Sequence, residues 1–371
     1  MEKYVSESSD KNEEIIAKEM FSRFSLDAIA TSAFGIEIDT FAEPDNVFKK
    51  MIDEIQRTPD SEAGSKWNMF KFLATMFMPI TKYVLYVEQF SSKAMGFLQN
   101  ALLKTIEMRR NGSVKRNDII DLVIEQIDLK ESLDKSKEVE QDEDEYEKAA
   151  SLDMSNVKKL DINEDQMLVS NAFLIFTASL DTTSSTLTFA LHYLIRYPHI
   201  QEKIRDEISE VIGDDDKITF EQIQNLKYLD KFLLETLRNS HPFAQILERE
   251  CTKDYLIPGT NYIVRKGEVV NFSLLYEKMK NKLENSSFYN AGEFDPENFN
   301  PSNNPDNFAL LAFGQGPRNC IGKRYAMLTM KLALVHILRN HRLVKTNKTK
   351  DEIQMFKFLA GANVPFYAQK I

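Results

Sequence analysis

The sequence predicts a mainly α fold with a small β component. Apolar residues recur at helical spacing through most of the chain, which is the primary signal for amphipathic helices. Phe is abundant at 25 residues while Gly (12) and Pro (11) are scarce among 371, so few positions interrupt a helix. Strand signals are confined to a patch of β-branched and aromatic residues such as Tyr262-Ile263-Val264, with turns at Pro258-Gly259 and Lys266-Gly267, and to the tail. With 43% of its residues hydrophobic, the chain can bury one large core or two small ones.

Taken in order, residues 13–35 carry a helical pattern ending in Ala33-Phe34-Gly35, 45–58 another, and 66–110 a pair of strongly apolar helices. The stretch from Trp67 to Ile80 is apolar enough to be core; the other reading is a lid that dips into a membrane surface. From 129 to 161 the composition turns to Lys, Glu, Asp and Ser, with an acidic run at 141–145, and reads as a solvated connection inside one domain covering 1–371. Asn163 and Gln166 resemble a capping box that opens a long helix running to Arg196, stopped by Pro198. Helices follow at 199–212, closed by Gly213, and at 219–238, opened by Thr219 and Gln222. After the β patch and a coil comes a helix at 321–341, with Ala326, Leu328, Leu332, Val335 and Leu338 on its apolar positions, then a hairpin between Phe356 and Tyr367.

The net charge of −10 and the lack of a basic stripe exclude a nucleic-acid partner. Two cysteines in so long a chain make no disulfide framework and point to a reducing compartment. The polar start Met1–Glu7, with no apolar run long enough to cross a bilayer, reads on its own as soluble. Cys251, in a polar strand-like context, reads as an ordinary thiol, and His192 and His241 show no metal-ligand spacing.

Four groups of residues carry chemistry. Phe313-Gly-Gln-Gly-Pro-Arg-Asn-Cys320-Ile-Gly322 sets a cysteine in a tight turn just before a helix, where free N–H groups and the positive end of the helix dipole favour a thiolate suited to binding iron. Glu235 and Arg238 stand at i and i+3 and can pair on one helix face. Ala178-Ser179-Leu180-Asp181-Thr182-Thr183 puts an acid and hydroxyls inside the long helix, where hydroxyl back-bonding bends a helix locally. Pro242 to Arg249 leads out of the Glu-x-x-Arg helix into a strand. The plain alternatives are a buried structural cysteine, an exposed ion pair, a polar helix cluster and a surface arginine.

Phe313, Gly316, Arg318, Cys320 and Gly322 resemble the haem-binding signature of the cytochrome P-450 family, Phe-x-x-Gly-x-Arg-x-Cys-x-Gly, and the other groups follow in that family's order. The resemblance implies a P-450-like helical fold with small sheets and haem b ligated by Cys320, whose electron donation favours O–O cleavage. It implies that Phe313 packs on the haem, that Gly316 and Gly322 let N–H groups approach the sulfur, and that Arg318 and Arg249 pair with propionates. Thr182 would hydrogen-bond dioxygen and Asp181 would pass it protons through water. Glu235–Arg238 would be the buried structural pair, and Phe173, Phe176, Phe243, Ala244, Leu247, Leu359 and Ala360 would touch a small hydrophobic substrate.

The resemblance further implies a monooxygenase of the animal microsomal branch. Electrons would come from NADPH through NADPH–cytochrome P-450 reductase, with cytochrome b5 as an optional second donor, at the cytosolic face of the endoplasmic reticulum membrane. Lys323, Arg324 and Lys331 would suit an acidic reductase. A reductase-independent haem-thiolate isomerase or dehydratase, or a truncated non-catalytic member that binds haem poorly, are the other readings. Several positions depart from the pattern. Ser179 stands where a Gly is usual, and Asn298 in Pro296-Glu297-Asn298-Phe299 replaces the arginine that completes the Glu-x-x-Arg triad. The stretch 275–292 is unusually basic, and Trp67 fits no Trp-x-x-x-Arg. The N-terminal part of the pattern, roughly a quarter of it, is not in the sequence.

Overall fold

A computed structural model of the chain describes residues 1–43, 45–50, 92–112, 115–122, 124–125, 164–213, 217–242, 246–273, 290, 292–303, 310–351 and 364–371. The apolar stretch 67–80, the charged segment 129–161, the Asn163 cap and most of 275–292 lie outside these residues. In chain order the elements are α1 (Glu2–Asp10), β1 (Ile15–Ile16), α2 (Ala17–Phe34), α3 (Ser92–Arg110), α4 (Glu164–Arg196), α5 (Pro198–Val211), α6 (Phe220–Asn225), α7 (Lys227–Asn239), β2 (Ile246–Glu250), β3 (Tyr255–Leu256), β4 (Ile263–Val264), β5 (Val269–Ser273), α8 (Lys323–Leu338), β6 (His341–Lys345) and β7 (Pro365–Lys370). They divide between two compact units, one of residues 1–25 and 181–371, the other of 26–180.

In the first unit, α5 buries Ile200, Ile204 and Ile208, one residue per turn, as an amphipathic helix does. Fully buried Leu229, Phe232 and Leu233 of α7, Leu187, Leu191 and Leu194 of α4, and Ala333, Leu334, Ile337 and Leu338 of α8 complete the core. The expected single helix over 219–238 is two. The Thr219–Gln222 capping box opens α6 as expected. Leu226 then leaves helical geometry at φ −74°, ψ 82°. A new helix starts because the Glu207 carboxylate of α5 accepts the N–H groups of Tyr228 (2.6 Å) and Leu229 (2.9 Å), capping α7 from another helix.

Most of the hairpin expected between Phe356 and Tyr367 lies outside the described residues, and its described end falls in β7. β7 is the centre of an antiparallel sheet ordered β1-β7-β6, with Ile15 opposite Phe366 and Val344 opposite Tyr367. The helix expected to reach 341 therefore ends at Leu338, and the helix expected from 13 starts at Ala17. In each case the backbone groups of β-branched or apolar residues are satisfied by a strand far away in sequence, which local periodicity cannot show. Gln201 ties α4 to β6, donating to the carbonyls of Leu194 and Leu343 and accepting the Leu343 N–H at 2.7 Å. The β patch forms as expected, in two antiparallel pairs, β2–β5 and β3–β4. Gly259 and Gly267 turn at φ +76° and +86°.

In the second unit, Phe34 and Phe176 pack at 5.3 Å, and buried Arg109 pairs with Asp118 at 2.8 Å and Asp121 at 3.4 Å. Half-buried Asp27 accepts the Thr40 N–H and hydroxyl. Burial pushes its carboxyl from an ordinary value near 3.8 up to about 6, against those two hydrogen bonds. A folded-state value above the unfolded one means that the fold favours the protonated acid, so this contribution is full below about pH 4 and is lost as pH rises through about 6. Asp27→Asn keeps an acceptor and removes the ionisation. It is expected to melt above wild type at pH 7, with the advantage vanishing near pH 4, as read from thermal melts across that range.

Candidate functional site

The loop from Leu310 to Gly322 is held by short-range backbone bonds. Gly314 N–H donates to Leu311 O (2.9 Å), Asn319 N–H to Gly316 O (3.1 Å), and Cys320 N–H to Phe313 O (2.7 Å). Gly314 and Gly316 sit at φ +69° and +78°, where a side chain is strained. Gly314 escaped the sequence reading, although a Gly-Gln-Gly triplet in a turn is the signal that finds it. Gly322 serves differently: it stands at the N-cap of α8 with φ −87°, and a Cβ there would lie 3.9 Å from Cys320 Sγ.

Cys320 is solvent-exposed. Its thiol lies just before the first turn of α8, as the spacing predicts. The Lys323 ammonium lies 5.7 Å from the Phe313 ring centroid, within cation–π range. Arg318, Lys323 and Arg324 are exposed on the same stretch. Lys331 is not available beside them: it is 3% exposed and paired with Asp230 of α7 at 2.8 Å, so it braces α8 on α7. Among the described residues no group of three or more His, Cys, Asp and Glu could hold a metal ion. An accessible thiol with a bare glycine beside it and a short arginine-bearing turn fits a group bound through one sulfur.

Glu235 and Arg238 pair inside α7, as the spacing allows, with side chains 0% and 2% exposed. Arg238 donates from Nε at 2.7 Å and Nη2 at 2.6 Å, a bidentate fork. Arg238 Nη2 also donates to the Glu293 carbonyl at 3.0 Å. Asn298 is fully buried in a 3-10 turn at Pro296–Phe299. Its amide donates to Glu235 at 3.2 Å, and its oxygen accepts the Asn290 N–H at 2.7 Å. The departure at 298 thus puts a neutral donor against the acid, beside the Asp295 N–H at 2.9 Å. Burial raises the Glu235 carboxyl above its ordinary value, against the pull of Arg238 and these donors.

In α4, Asp181 has a partner that the sequence did not reveal. Lys18 Nζ from α2 donates to Asp181 Oδ1 at 2.6 Å, Ser184 Oγ at 2.8 Å and Ser185 Oγ at 2.7 Å. The ammonium is saturated, and burial lowers the Lys18 pKa against the attraction of Asp181. Ser179, expected to project a side chain, back-bonds to the Phe176 carbonyl at 2.9 Å. Thr186 and Thr188 back-bond likewise to Thr182 and Ser184 at 2.8 and 2.7 Å.

The remaining site residues are scattered. Phe176 has no exposed surface and packs on Phe34, a core position; Phe173 is half-buried. Leu247 is half-buried on β2, and Arg249 is exposed with its guanidinium on the Glu248 carbonyl at 2.8 Å. Phe243, Ala244, Leu359 and Ala360 lie outside the described residues. His192 is buried; desolvation and then Arg196 push it down to about 4, neutral at pH 7.

A mainly helical chain that buries a Glu-x-x-Arg pair and presents a cysteine from a glycine turn at a helix start is of the haem-thiolate class. The cytochrome P450 family model matches residues 1–366, and the chain belongs to that family. It is 28% identical over 347 residues to probable cytochrome P450 6d4 of Drosophila melanogaster, covering 92% of this chain and 62% of that one. To cytochrome P450 9e2 of Blattella germanica it is 33% identical over 344 residues, covering 92% and 60%. Probable cytochrome P450 6a14 of Drosophila melanogaster is 30% identical over 376 residues, covering 99% and 68%. The chain thus spans about 60% of the length of the first two relatives.

Proposed function

We propose that the chain carries the haem-thiolate half of a monooxygenase. In this reaction one atom of dioxygen enters a small hydrophobic substrate, and the other leaves as water with two electrons and two protons. The observation behind this reading is the exposed Cys320 thiol in a loop shaped by Gly314 and Gly316. Bound haem supplies the redox chemistry and the oxygen-binding metal. The chain's part is to ligate through Cys320, to offer Arg318 and Arg249 to the propionates, and to keep Phe313 against the ring. The Asp181 carboxylate, which accepts from Lys18, would hold and pass protons, with Thr182 next to it in sequence.

Exposed Arg318, Lys323 and Arg324 offer a basic face on a chain of net charge −10, suited to an acidic electron donor. We assign that role to an NADPH-dependent flavoprotein reductase, with cytochrome b5 as second donor, at the cytosolic face of the endoplasmic reticulum. No helix among the described residues is long and apolar enough to cross a membrane. The test is NADPH-driven oxidation of small apolar probes by the haem-loaded chain plus reductase. Asp181→Asn is expected to lower product per NADPH consumed by about tenfold or more; unchanged coupling would remove Asp181 from the reaction. Turnover that persists without any electron donor would favour an isomerase or dehydratase instead.

A further inference from the structure

His241 belongs to no metal-binding group among the described residues, yet it is 5% exposed and makes a bond of consequence. It follows Ser240, the C-cap of α7, whose hydroxyl lies 2.8 Å from the Tyr193 hydroxyl of α4. The backbone at 240–241 is thereby fixed between two core helices. His241 Nε2 is 2.9 Å from the carbonyl of Ala312. A carbonyl can only accept, so Nε2 carries the proton and donates. Ala312 is bonded to Phe313, whose own carbonyl accepts the Cys320 N–H at 2.7 Å. The bonds Gly314–Leu311, Asn319–Gly316 and Lys323–Cys320 are local to the loop and set its shape. The imidazole bond instead fixes where the loop stands on the scaffold.

We propose that His241 is a positioning residue for the thiol loop: by holding the Ala312 carbonyl it places Phe313 and, through it, the Cys320 backbone. The tether is a property of the polypeptide; its use in placing a haem ligand rests on the reading of Cys320 given above. Its removal leaves the half-buried Ala312 carbonyl without this donor, which frees the loop to move away from α7.

Hydrogen exchange of the full chain tests this without haem. In His241→Phe the Cys320 amide is expected to exchange about five- to tenfold faster, the value of one hydrogen bond, while amides of α7 and α8 keep their wild-type rates. His241→Gln, which can still donate, should restore protection. Should His241→Phe fail to fold, His241→Asn, polar but too short to reach Ala312, gives the same comparison. Loss of protection spread equally over α7 would mean that the ring only fills space, and an unchanged Cys320 amide would end the proposal. A second readout is the haem-loaded chain, where the reduced carbon-monoxide spectrum of His241→Phe should contain more of the non-thiolate band and that of His241→Gln should not. If wild type itself lacks the thiolate band, the ligand reading fails while the exchange result still decides the tether.

Discussion

Arg238→Leu is expected to destabilise the chain by about 3–5 kcal/mol, enough to unfold much of a marginally stable protein at 25 °C. The substitution removes both arms of a bidentate fork and, among the described residues, leaves the fully buried Glu235 carboxylate with the Asp295 N–H and two amides, those of Asn298 and Asn239. Three neutral donors do not replace a cation in a site without solvent. The Glu293 carbonyl loses its donor at the same time, freeing the loop that leads to the 3-10 turn. Asn298→Leu takes away one amide and orphans the Asn290 N–H, so a smaller cost of about 1–3 kcal/mol follows. Urea denaturation of the two variants beside wild type measures both; a cost below about 1 kcal/mol for Arg238→Leu would mean that the pair is not the keystone of this unit.

Lys18→Met is expected to cost about 1–3 kcal/mol and to damage the reaction out of proportion to that loss. The Lys18 and Asp181 side chains are each 19% exposed, so solvent softens the effect relative to Arg238. The variant strips Asp181 of its cation and leaves the Ser184 and Ser185 hydroxyls without the donor they share. A double-mutant cycle with Asp181→Asn isolates the pair, and a coupling of at least about 0.5 kcal/mol is expected. Lys18→Arg should recover part of it. Additive costs would show that Lys18 and Asp181 are neighbours without being partners.

Several of these features could be read from the sequence, and the exceptions share a cause. Periodicity located α4, α5 and α8, and capping residues marked the start of α6, because those signals are local. The i, i+3 pairing of Glu235 with Arg238 followed from helix geometry, and the turn at Cys320 from its glycines. Lys18 could not be matched with Asp181, nor His241 with Ala312, since 163 and 71 residues separate the partners. Strand β6 was missed, with the expected helix running on to its first residue, because its partner β7 begins twenty residues after it ends. Lys331 looked like a surface cation by residue type; its burial against Asp230 depends on how α8 lies on α7. Asn298 is the instructive case. As a departure from a family pattern it predicts a weakened triad, whereas in the fold its amide donates to Glu235 and its oxygen stitches the turn to Asn290.

The central claim is that Cys320 presents a thiolate to haem iron, and the reduced-minus-oxidised carbon-monoxide spectrum of the haem-loaded chain tests it most directly. The account predicts the red-shifted band of a thiolate-ligated haem in wild type, its loss in Cys320→Ser and its retention in Cys251→Ser. A wild-type spectrum without that band, or one that Cys320→Ser leaves unchanged, would contradict it.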